Sequence, residues 1–165
     1  WMGTEIGQFQ ENTVLFEAAC SNDPVLRLAG VNRALEGLAI DVFTQMKEFG
    51  DVAGDPYLEF CEDWMLADEV THVKMVSDWL RKVTANDPDR RTKALEFQQV
   101  VDKLFSFGGA RGESADSSFS LARRFRELAG FTDDEVETIS AMDAEALEER
   151  KEAVRKYRER VGADA

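Results

Sequence analysis

Histidine occurs once in this chain, cysteine twice and proline three times, and bases are outnumbered by acids, 20 to 33. Each scarcity narrows the field. A formal charge of −13 at pH 7 would be repelled by the phosphates of nucleic acid and by anionic membranes, so neither is expected as a partner. That charge is compatible with cation uptake. No apolar run reaches the length of a bilayer span, and no basic-then-apolar signal peptide opens the chain. Cys20 and Cys61 sit in helix-like segments without CxxC spacing, which predicts reduced core thiols in a cytoplasmic protein. Nucleophilic hydrolysis finds no support, because no nucleophile elbow precedes a helix and Cys61 lacks a base partner. The glycine-rich Gly108-Gly109-Ala110-Arg111-Gly112 lacks the preceding strand and the following Lys-Ser/Thr of a phosphate loop, and reads as a connector.

What remains is helical. At 165 residues, 44% of them hydrophobic, the chain suits one domain with a continuous core. A first helix is predicted from about Glu5 to Cys20. Ser21-Asn22-Asp23-Pro24 is a helix start, with a capping residue before a first-turn proline. From Val25 to Phe49 the apolar positions Leu28, Val31, Leu35, Leu38, Val42 and Met46 recur every three or four residues, which predicts a long amphipathic helix. Gly50 to Pro56 turns the chain, and a second long helix runs from Tyr57 to about Val83. Further helices are expected over Thr92–Phe107, over Phe119–Leu128, after the cap at Thr132, and over the charged Asp143–Val161. The reading is therefore all-α, a single domain over 1–165. Its core runs from about 5 to 107, with a C-terminal helical extension from about 114 to 165.

The one histidine stands in Asp68-Glu69-Val70-Thr71-His72. A glutamate and a histidine three apart share a helix face, and this Glu-x-x-His is the half-motif from which helical bundles build dinuclear carboxylate sites. Glu36 precedes Gly50 by fourteen residues and Glu69 follows Pro56 by thirteen, so both stand about 20 Å from the turn if the helices form a hairpin. Oxygen and imidazole donors together suit iron, manganese or zinc. Asp68, just off the face, is placed to orient the histidine, and Glu62, two turns earlier, is a further candidate ligand. A lone Glu-x-x-His is more often a surface pair or a core histidine. Glu36 at matching depth, on an apolar stripe, tips the balance toward a metal. Trp64 and Trp79 are expected to be core packing.

These segments resemble part of a known family. Asn32-Arg33-Ala34-Leu35-Glu36-Gly37-Leu38-Ala39-Ile40-Asp41, then Asp68-Glu69-Val70-Thr71-His72-Val73, is similar to the second half of a bacterial ferritin-like family of uncharacterised function. There an "EARGLD"-like helix is followed, after a "GD" turn, by "DE-x-x-HV". Ser118 to Arg123 and Ala129-Gly130-Phe131-Thr132 resemble its closing "PFN-x-x-AR…AGF" segment. The resemblance implies a four-helix, ferritin-like bundle with a di-iron or di-manganese site, in which Glu36 and Glu69 are carboxylate ligands and His72 a nitrogen ligand. It also marks a departure: the family's earlier helix pair, with its own glutamate and Glu-x-x-His, has no counterpart here. Either a second copy completes the site as a homodimer, or a separate or cleaved partner chain does, an arrangement the Trp1-Met2 opening allows. The third outcome is a metal-free structural or interaction subunit. With the site complete, the expected chemistry is iron oxidation or oxygen-dependent oxidation.

Overall fold

The computed structural model describes residues 19–106 and 121–163, with isolated positions 3, 8 and 16. The first helix expected from the sequence and the glycine-rich connector lie outside them. Within the described residues every regular element is a helix, and none is long and apolar enough to cross a membrane.

All three prolines follow an aspartate, and all three open helices. Asp23 accepts from the Val25 N–H at 2.8 Å and starts α1, Pro24–Arg27. Asp55 accepts from Tyr57 and Leu58 and starts α3, Pro56–Val83. Asp87 accepts from Arg90 and starts α4, Pro88–Ser106. A proline in the first turn loses no helical hydrogen bond, and the aspartate satisfies N–H groups that would otherwise be orphaned.

α1 does not end at Arg27. It runs through a π-helical stretch, Leu28–Leu35, into α2, Glu36–Ala53. The turn is tighter and later than the sequence suggests. Gly50 is helical and buried against α3, and only Gly54, in the left-handed region at φ 68°, and Asp55 form the bend. Their amides close the helix end by donating to Asp51 and Gly50.

α2 and α3 form an antiparallel hairpin, while the π stretch packs on α4. α5, Arg123–Leu128, and α6, Asp133–Ala163, lie against these elements. One core cluster joins Ile40, Leu66 and Val73 to Ala122, Ala129, Phe131, Val136 and Ile139, so the C-terminal segment supplies five of its eight members. A second gathers Val25, Ala29, Leu80 and Ala94. The cap at Thr132 is reciprocal: Glu135 donates its N–H to the Thr132 hydroxyl, and Thr132 donates its N–H to the Glu135 carboxylate. The helix it starts is not short. It continues through the charged segment as one element, because no glycine or proline interrupts residues 133–161.

Two expectations are corrected here. Cys20 and Cys61 are free thiols but exposed, not core. Trp64 and Trp79 are 67% and 49% exposed, so they lie outside both core clusters. Their side of α3 faces away from α2, and apolar character alone does not say which of two faces a helix buries.

Candidate metal centre

Glu36 opens α2 as the π stretch ends, and Glu69 and His72 sit one turn apart in the middle of α3. One ligand atom from each of the three lies within 4.8 Å of the other two. This is the one such group among the described residues. His72 Nδ1 is 3.6 Å from Glu69 Oε2, and His72 Nε2 is 3.7 Å from Asp68 Oδ1. Both spacings exceed a hydrogen bond. Asn32 Nδ2 donates to Glu36 Oε1 at 3.4 Å. The other oxygens, Glu36 Oε2 and Glu69 Oε2, are buried without a hydrogen-bond partner. A buried carboxylate oxygen left bare costs free energy unless something positive meets it.

Electrostatics agree. Burial holds the Glu69 carboxyl above its ordinary range, and the Glu36 carboxylate pushes the same way, against the pull of His72. Two acids facing one point repel each other unless a cation or proton intervenes.

Glu36 and Glu69 are not level with each other. Gly50 touches the backbone of Glu59, so counting fourteen residues up each helix sets Glu36 level with Val73, not Glu69. The sequence put the turn at Gly50, whereas α2 runs on to Ala53. Glu69 stands about 6 Å lower along the axis, and the side chains span the difference. Nor is the place dry. The Glu69 side chain is 23% exposed and that of His72 47%, because nothing among the described residues covers that side of α3. Asp68 is exposed beside His72, where its carboxylate can orient the ring. Glu62 is buried, with Oε2 also lacking a partner, but it does not join the group.

Sequence reasoning missed a second polar centre. Arg33, treated only as a neighbour of Glu36, is buried and donates to Ser77, Gln98, Glu135 and the Gly130 carbonyl. Its guanidinium also stacks 4.0 Å from the Phe131 ring centroid. Arg126 is buried on Asp41, and the Asp41 carboxylate accepts from the Ala122 N–H as well. Asp102, buried beside Gln98, has its carboxyl pushed up to about 6 by burial, against the attraction of Arg126. The only signal for this network was the isolated polar residue on each apolar stripe. These groups neutralise one another and clamp α5 and α6 to the hairpin.

A family model described as "Protein of unknown function (DUF455)" matches residues 1–137. No curated protein and no solved structure matches the chain.

Proposed function

We propose that this chain, which belongs to the DUF455 family of proteins of unknown function, binds a transition-metal cation through Glu36, Glu69 and His72. One observation carries the reading: two buried carboxylate oxygens with no hydrogen-bond donor converge with an imidazole. Two oxygens and a nitrogen fit iron or manganese, and zinc by the same donor set. Such an ion, when bound, supplies Lewis acidity or, for iron and manganese, one-electron chemistry. The protein's part is to hold it. Glu36 and Glu69 offset its charge, His72 fixes its position, and Asp68 sets the imidazole's orientation.

Three ligands fall short of the four to six such ions take, and the open side of His72 is where further donors would enter. The long α2–α3 hairpin, with acids on both helices and Glu-x-x-His on one, supports a ferritin-like bundle and a dinuclear oxidase or oxygenase as the finer reading. A second reading, a metal-free assembly subunit, is favoured by the exposed Trp64 and Trp79.

Elemental analysis after anaerobic iron or manganese loading decides between them. At least one ion per chain is expected, lost in Glu69→Ala and retained tenfold or more weakly in Asp68→Asn. No uptake by the wild-type chain would overturn the metal reading.

A further inference from the structure

The face of α3 turned from the core carries Tyr57, Cys61, Trp64, Met75, Trp79 and Val83, all exposed. With Asp68 and His72 they stand at 57, 61, 64, 68, 72, 75, 79 and 83, in steps of three or four that align them on one side of the helix. The opposite side, with Leu66, Val73 and Leu80, is already buried. α3 is thus apolar on two sides, the pattern of a helix packed between neighbours.

Two features identify the missing neighbour. The first is symmetry about Val70. Position 57 mirrors 83, 61 mirrors 79, 68 mirrors 72, and 64 mirrors 76, next to Met75. Laid antiparallel on a copy of itself, the row sets apolar residues on apolar ones and the Asp68 carboxylate on the His72 imidazole. The second is charge. On the exposed row itself Asp68 stands on the N-terminal side of Val70 and His72 on the other, while Glu62 is buried and Asp63 pairs with Lys47 of α2. Antiparallel copies set Asp68 of each on His72 of the other, whereas parallel copies would set Asp68 on Asp68 and His72 on His72.

We propose that a second copy of this chain docks on this face, α3 against α3, about a twofold axis at the level of Val70. The contact is isologous, so each copy gives and receives the same residues. Trp64 of one copy reaches the groove of about 460 Å³ that Thr71, Met75, Asp78, Trp79 and Lys82 line on the other. The pairing covers His72 and brings it a second carboxylate. In that it deepens the metal reading, although the seam and its charge pattern do not depend on a metal.

Light scattering on the metal-free chain should give twice 18.6 kDa. Trp64→Glu, a change at an exposed position, should give a monomer with an unchanged helical spectrum. Register is read from Cys20→Ser/Trp79→Cys oxidised with diamide. Within one chain positions 61 and 79 are about 27 Å apart, so a disulfide between them joins two chains. A covalent dimer is expected there and none in Cys20→Ser alone. A wild-type monomer, a dimer indifferent to Trp64→Glu, or crosslinking through Cys61 alone would overturn the pairing. A dimer that takes up no metal sinks the metal reading and leaves this one standing, and a metal-loaded monomer does the reverse.

Discussion

Arg126 Nη2 lies 2.6 Å from Asp41 Oδ2, both side chains almost wholly buried and the residues eighty-five apart in the chain. The pair ties α5 to α2. A buried charge that loses its partner is uncompensated, so Asp41→Leu or Arg126→Met alone should cost about 3–5 kcal/mol. The double change Asp41→Leu/Arg126→Met should cost less than either single change, because no charge is then stranded. Urea midpoints of the four proteins measure the coupling.

Asp102 imposes a pH dependence of the opposite sign to an ordinary paired carboxylate. Its folded value, about 6, exceeds the usual 3.8, so its neutral form favours the fold below that range and the benefit is lost as pH rises through 6. Asp102→Asn should therefore stabilise the protein by about 2 kcal/mol at pH 7 and leave it unchanged at pH 4. Paired denaturation curves at the two pH values give the comparison.

Glu69 behaves alike in the absence of metal, since burial and Glu36 hold its carboxyl high. In the proposed site protons and a cation would compete for the same oxygens, so metal content should fall as the solution is acidified, beginning at a higher pH than for a free glutamate. Glu69→Gln should raise the melting temperature of the metal-free protein at pH 7 while abolishing the rise that metal confers. A variant that melts lower without metal would show the carboxylate to be structural.

Gly50 is where α2 and α3 come closest. A Cβ there would stand 2.7 Å from the Glu59 backbone nitrogen, which cannot swing aside as a side chain would. Gly50→Ala should cost about 1–3 kcal/mol by prising the hairpin apart. Since this contact also sets the relative height of Glu36 and His72, metal affinity should drop with stability, readable by titration below the melting temperature.

Helix starts were legible because a cap is a local event. Asp23, Asp55 and Thr132 each bond N–H groups two or three residues on, and proline or glutamate beside them repeats the message, whereas the helix expected from Thr92 begins four residues earlier, at Pro88 behind the Asp87 cap. Glu69 and His72 were legible as a pair for a related reason, since spacing along a helix sets which heads share a face, whereas Glu36 joins them only through the packing of α2 on α3. The surroundings of all three were not. Trp64 and Trp79 look like core residues in any hydrophobicity pattern, and Arg33 and Arg126 look like surface ones, yet the structure reverses both.

By itself, then, the sequence determined the helical class, the capped starts at Asp23, Asp55 and Thr132, and the shared helix face of Glu69 and His72, all consequences of interactions within a turn or two. Only the tertiary structure decided where α2 ends, that the π stretch leads into Glu36, which side of α3 is buried and which arginines are paired inside. Those outcomes depend on partners forty to a hundred residues away, and no periodicity along the chain encodes the identity of such a partner.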